Sequence, residues 1–182
     1  MQKLTVAELI QVFPNDGELV WIGVRPAHGE PMIAVSRVMV NQLSGLIGDR
    51  YNGSSGKRHV TLIQYEHLAV LETLMGKEVS PEFLRRNLVI KGINLLALKN
   101  AKFRIGGVVF QTTGFCHPCS KMESTLGAGG YNAMRGHGGL TAQVLQEGLL
   151  LLGNGVRNNL SSIENYQNRN CKKGEEGTIT QI

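Results

Sequence analysis

Apolar and polar positions alternate in short runs along most of the chain. Residues 20–24, Val20-Trp21-Ile22-Gly23-Val24, and residues 32–40 are both β-rich, and Arg25-Pro26-Ala27-His28-Gly29-Glu30-Pro31 between them has the composition of a turn. The pair predicts a hairpin. A polar loop covers residues 48–58, and strand character returns over residues 59–63. Residues 65–75 then change period: Leu68, Leu71 and Met75 fall on one helical face, and Gly76 is a suitable stop. Ser80-Pro81-Glu82 reads as the start of a second, short helix, cut off by the strand-like Leu88-Val89-Ile90. Two strands flank Gly106-Gly107, a two-residue hairpin turn. Residues 114–139 read as irregular and glycine-rich, and residues 142–145 and 149–152 as two further strands. The total is about eight short strands and two helices, joined mostly by short turns. That pattern predicts a mainly β (α+β) fold, an antiparallel, barrel-like sheet with a few short helices, rather than a doubly wound parallel sheet. Residues 1–17 read as an N-terminal extension, 18–157 as the barrel domain, and 158–182 as a loose polar tail.

Composition narrows the class. The 182 residues are 42% hydrophobic and 18% charged, too apolar for a disordered chain and long enough for one sizeable core. No run approaches the ~20 apolar residues of a spanning helix, and the first residues lack the order of a secretory signal. A cytoplasmic protein with no membrane partner is expected. Nineteen Lys and Arg against 14 Asp and Glu give a net charge of +5, which favours an anionic ligand. Aromatics are only 5%, too few for a stacking platform, so nucleic acid is not the expected partner.

Cys116-His117-Pro118-Cys119 carries the sharpest chemistry. Two thiols at this spacing can cycle as dithiol and disulfide, supply half of a zinc site, or leave one cysteine to act alone as nucleophile, sulfur carrier or ligand to a soft metal. The first use wants a long helix directly after the pair, yet Gly127, Gly129 and Gly130 follow closely. The second wants a second ligand pair; the third cysteine, Cys171, lies in the tail, and no His-x-x-x-His spacing exists. Two buried structural cysteines are the plain alternative.

The surroundings favour chemistry. Between Phe83 and Met122 stand Arg85, Arg86, Lys91, Lys99, Lys102, Arg104 and Lys121, with no Asp or Glu. Up to Gln146 only Glu123 is acidic, and Arg135 joins the cations. Such a span predicts a basic pocket in which a thiol is activated and a phosphate is held, Arg85 and Arg86 being suited to bidentate contacts. Gly127-Ala128-Gly129-Gly130 and Gly136-His137-Gly138-Gly139 leave backbone N–H groups uncrowded, as anion-binding nests require, which makes Gly138 a candidate contact. The turn Gly48-Asp49-Arg50 reads either as a structural Asp49–Arg50 pair or as part of the site.

The order of these motifs resembles the MOSC domain family, found at the C-terminus of molybdenum-cofactor sulfurases and as small free-standing bacterial proteins. Gly48-Asp49-Arg50 comes first, then Arg85-Arg86-Asn87 ahead of an apolar strand and Gly92-Ile93, then Phe103-Arg104-Ile105-Gly106. Cys116-x-Pro118-Cys119, Gly136-x-Gly138-Gly139 and residues 144–148 complete the order, over roughly residues 18–157. One departure is Gly153-Asn154, where the family pattern has Gly-Asp.

The resemblance implies a β-rich barrel that binds the molybdenum cofactor (molybdopterin), a pterin with a dithiolene and a phosphate. Some members reduce N-hydroxylated compounds with one cysteine thiolate on molybdenum. By motif position that residue, both metal ligand and catalytic, is Cys119, with Cys116 the second candidate. Arg85, Arg86 and Asn87 map to the segment associated with the cofactor, and Asp49, Arg50, Lys121, Arg135 and Gly138 are read as further cofactor-binding residues. Lacking a flavin, haem or iron–sulfur motif, such a reductase would act on a small molecule with electrons from a separate protein. Other members have been proposed to carry sulfur as a persulfide, which here would sit on Cys119 or Cys116. A zinc-binding or purely interacting domain is the third reading.

Overall fold

The structure, a computed structural model, describes residues 5–51 and 55–158. Cys171 and the tail beyond residue 158 lie outside the described residues. A short helix, α1 (Val6–Leu9), opens the described chain; Thr5 and Glu8 form a reciprocal capping box at its start.

Strands β1 (Gly17–Val24) and β2 (Ile33–Ala34) form the expected hairpin. The single strand expected over residues 32–40 is instead two. The chain breaks at Val35-Ser36, and β3 (Arg37–Asn41) pairs elsewhere, with β4 (Gly45–Leu46). Next come β5 (Val60–Gln64), helix α2 (Glu66–Met75), helix α3 (Pro81–Leu84), β6 (Leu88–Lys91) and a 3-10 turn at Leu95–Leu98. Strands β7 (Lys102–Ile105) and β8 (Val108–Phe115) form a hairpin in which Ile105 faces Val108 across Gly106-Gly107. Helices α4 (Ser120–Leu126) and α5 (Gly130–Ala133) follow, then β9 (Leu140–Gln146), β10 (Gly148–Leu151) and β11 (Gly155–Asn158).

The main sheet runs β11-β7-β8-β9-β5-β6-β1-β2, and β11 also pairs with β1. That last pairing closes the sheet into a barrel. A small second sheet has the order β10-β3-β4. The barrel is mixed rather than purely antiparallel, because β5 and β6 run parallel, with Leu62 beside Leu88 and Ile63 beside Val89. Parallel neighbours need a long crossover, and α2 with α3 supplies it.

The crossover helices bury β5 and β6 on both faces. Val60, Leu62, Leu88 and Ile90 point into the barrel with Leu19, Ile22 and the stacked rings of Phe103 and Phe110. Ile63 and Val89 point outward into a second core with Leu68 and Leu71 of α2, Leu84 of α3, Met122 and Leu126 of α4, and Met134. These strands therefore read as continuous apolar runs instead of alternating ones. Helix α2 ends as its sequence predicts: Gly76 is left-handed at φ 64°, and its N–H donates to the Glu72 carbonyl.

The segment expected to be irregular, residues 114–139, contains two helices. Gly127 ends the first and Gly129 precedes the second, and both are too short for a periodicity argument to find. The departure at Gly153-Asn154 is accommodated locally. Asn154 Oδ1 accepts the Leu151 N–H at 2.9 Å and its carbonyl accepts the Leu19 N–H at 2.9 Å, so the amide holds this turn. No helix among the described residues is long and apolar enough to cross a membrane.

Candidate functional site

The two cysteines sit where β8 hands over to α4. Cys116 is held by its backbone, donating its N–H to the Gly139 carbonyl at 2.9 Å. Its side chain is 1% exposed, and Arg58 Nη2 donates to Cys116 Sγ at 3.2 Å. After His117-Pro118 the chain turns, and Cys119 takes the N-cap position of α4 with its thiol exposed. Both thiols are free. The pair is therefore unequal: Cys116 is packed against a guanidinium, and Cys119 is open to a ligand or reagent.

Arg86 locks this arrangement. It is 4% exposed and spends its planar fork on three backbone carbonyls. Nε donates to Gly138 O at 2.7 Å, Nη1 to Leu84 O at 2.9 Å and Nη2 to Cys116 O at 3.0 Å. Burial pulls its pKa below the usual arginine value, with the Cys116 sulfur opposing that shift. One side chain thus ties α3, the cysteine loop and the 136–139 loop together. A Cβ at Gly138 would lie 2.1 Å from the Cys116 carbonyl oxygen, so only glycine permits this approach. Arg86 is thus a positioning residue, occupied by the protein rather than facing outward for a phosphate.

Asn87 and Asp49 form a second lock. Asn87 Oδ1 accepts from the Thr61 N–H and hydroxyl, while Nδ2 donates to Gly23 O and to Asp49 Oδ2 at 2.9 Å. Asp49 also accepts the N–H groups of Arg25 and Tyr51. Among the described residues Asp49 makes no ion pair with Arg50, so of the two readings of that turn the structural pair does not form. The turn is instead joined to β1 by the Arg50 N–H, which donates to the Arg25 carbonyl.

The acid-free span does not make one basic face. Lys91 lies over the Tyr65 ring, Lys99 sits 4.4 Å over the Phe115 ring, and Lys102 and Arg104 point outward from β7. Lys121 is exposed on α4. Arg135 faces a separate depression between α2 and α5, with Leu74 and Met75. The cations that do gather are Arg25, Arg50, Arg58 and Arg85, with Arg86 beneath. Burial is the largest influence lowering the Arg25 pKa, followed by Arg85, with Asp49 opposing. Nε and Nη1 of Arg25 are buried with no partner among the described residues. Each such orphan costs roughly 1–3 kcal/mol unless a ligand satisfies it. Arg25 and Arg58 were not singled out by sequence, because the residues they meet lie far along the chain: Asp49 for Arg25, Cys116 for Arg58.

Two cavities flank these groups. One, of about 310 Å³, is lined by Leu96, Phe115, Cys116, His117 and Pro118 against the wall of the 136–139 loop. The other, of about 300 Å³, lies under Arg25, Met32, Glu82, Phe83 and Arg85. Among the described residues no three His, Cys, Asp or Glu side chains converge as a metal-binding group, which leaves a four-ligand zinc site without its ligands there.

Proteins of known structure share this architecture. The barrel is similar to the YUAD protein of Bacillus subtilis, with a TM-score of 0.69 at 15% identity over 80% of this chain and 97% of that one. It is also similar to YiiM of Geobacillus stearothermophilus, with a TM-score of 0.63 at 19% identity over 78% and 74% of the two chains. YiiM of Escherichia coli gives a TM-score of 0.63 at 20% identity over 80% and 70%. No curated protein matches the sequence. A family model for the MOSC domain matches residues 26–157, most of the folded region, and the chain belongs to the MOSC domain family.

Proposed function

We propose that this chain binds the molybdenum cofactor and reduces N-hydroxylated or other N–O compounds, with the Cys119 thiolate as the protein's ligand to the metal. The family is associated with molybdenum-cofactor binding. The observation that carries the reading is the exposed Cys119 thiol, three residues after Cys116, whose carbonyl is held by buried Arg86 and whose sulfur is contacted by Arg58.

The residues fit the group. Its phosphate is an anion, and Arg50, Arg58 and Arg85 gather near Arg25 beside Asp49, whose oxygens are already taken. Its metal already carries two dithiolene sulfurs and needs one more soft ligand, which a single exposed thiolate supplies. The cofactor would provide the two-electron chemistry that turns N–OH into N–H and water with two protons. The protein's share is to hold the phosphate with arginines, present Cys119, and keep the Cys116 and Gly138 segments in register through Arg86. Electrons would come from a separate donor protein. We place the activity in the cytoplasm, where free thiols stay reduced.

Persulfide carriage by Cys119 remains the second reading, since the same exposure suits a sulfur carrier. Protein from a cofactor-competent host should reduce an aryl hydroxylamine to the amine with a reduced viologen dye as donor. Cys119→Ser should abolish that turnover, and Cys116→Ser should keep a measurable part of it. Turnover unchanged by Cys119→Ser would exclude the assignment.

A further inference from the structure

The cavity under Arg25 holds a feature that the phosphate does not use. Glu82, the second residue of α3, lines it, and Oε2 of Glu82 is buried without a hydrogen-bond partner. Nε and Nη1 of Arg25, on the same cavity, are in the same condition. The two groups are oppositely charged yet do not pair; the ion pair formed among the described residues is Arg157–Asp16. An unpaired acid and an unpaired base on one cavity suit a ligand that presents N–H donors on one edge and ring acceptors on another. One more feature fits a flat ligand: Phe83, 49% exposed, lines the same cavity.

We propose that Glu82 and Arg25 read the amino-pyrimidinone edge of a bound pterin: the Glu82 carboxylate accepts the 2-amino and ring N–H groups, and Arg25 donates to the ring acceptors. This rests on the cofactor reading above and assigns the orientation of the pterin to α3 and the 25–32 loop. The volume of about 300 Å³ accommodates the bicyclic ring. The same edge is carried by guanine bases, so the test must separate the two sources.

The experiment uses the full chain, made in a host that cannot synthesise the cofactor, titrated with pterin and with lumazine, which has an oxygen in place of the 2-amino group. Wild type should bind the pterin at least about tenfold more tightly than lumazine, the loss of one good hydrogen bond. Glu82→Gln, nearly isosteric and expected to melt like wild type, should erase that preference. Arg25→Gln should weaken both ligands. Equal binding of pterin and lumazine by wild type, no binding of either, or an intact preference in Glu82→Gln would overturn the proposal. Guanosine binding to cofactor-loaded protein would also overturn it, by assigning the cavity to a base substrate. Failure of the underlying reading looks different: wild type from a competent host would then contain no pterin at all.

Discussion

Cys116 and Cys119 are three residues apart and have opposite surroundings. Iodoacetamide should therefore label Cys119 promptly in the native protein, and Cys116 only when the fold opens; mass spectrometry of the labelled peptide separates the two. Faster labelling of Cys116 would contradict its burial. Arg86 matters through the carbonyls it satisfies. Arg86→Ala leaves the oxygens of Leu84, Cys116 and Gly138 short of a donor inside the protein. The expected loss is about 3 kcal/mol of stability, read from a urea midpoint. Arg86→Lys should recover only part, because one ammonium cannot span three acceptors set around a planar fork. Lys121→Ala, on an exposed residue of the same basic span, should leave the midpoint unchanged. Sequence reasoning found Arg86 but gave it the wrong partner type, since nothing local says that its fork faces carbonyls 30 and 52 residues away.

Among the elements, the helix read best was α2, where Leu68 and Leu71 face the core and Gly76 supplies the left-handed stop. Helices α4 and α5 were illegible because they hold seven and four residues and depend on tertiary bonds. Glu123 is one such bond: its carboxylate accepts the N–H groups of Gly129 and Tyr131 at the start of α5. The Tyr131 N–H, then the Gly129 N–H, hold its pKa below the ordinary 4.5. A depressed carboxylate contributes stability above its unfolded value and loses it as pH falls through the folded one. The α4–α5 segment should thus loosen in acid, with the protection of the Tyr131 amide against hydrogen exchange, relative to its intrinsic rate, falling below about pH 4.5 and Glu123→Gln flattening that dependence. A second dependence has the same sign. His67 of α2 and His137 of the 136–139 loop meet edge to face at 4.9 Å. Burial first, and His137 second, lower the His67 pKa from 6.5. Buried His59 is lowered too, again by burial. The unfolded chain takes up those protons first, so stability should fall as pH drops from 6.5 toward the lowered folded values. Urea midpoints across that range should slope less in His67→Gln than in wild type; equal slopes would remove His67 from the account.

At the scale of the whole molecule, the closed barrel is the frame, and the site is assembled at the junctions where its strands leave it. Gly138 shows how tight that assembly is: Gly138→Ala places a methyl group against the Cys116 carbonyl, and an overpacking cost of roughly 1–3 kcal/mol is expected, with loss of bound cofactor. Strand content and the two hairpins were legible because their turns are local. Closure of β11 on β1 and the parallel β5–β6 pair were not, since both are set by contacts between distant segments. The same reason explains the site: the cysteine knuckle and Arg85-Arg86-Asn87 stood out as motifs, whereas Arg25 and Arg58 join them only through the fold. The central claim, an exposed cysteine beside an arginine cluster built for a phosphate-bearing molybdenum cofactor, is tested most directly by metal and pterin analysis of the purified protein from a cofactor-competent host. The account predicts about one molybdenum and one pterin per chain, with Cys119→Ser altering the metal's spectroscopic signature while Arg25→Gln lowers pterin retention. Protein that carries cyanolysable sulfur on Cys119 and neither molybdenum nor pterin would contradict it.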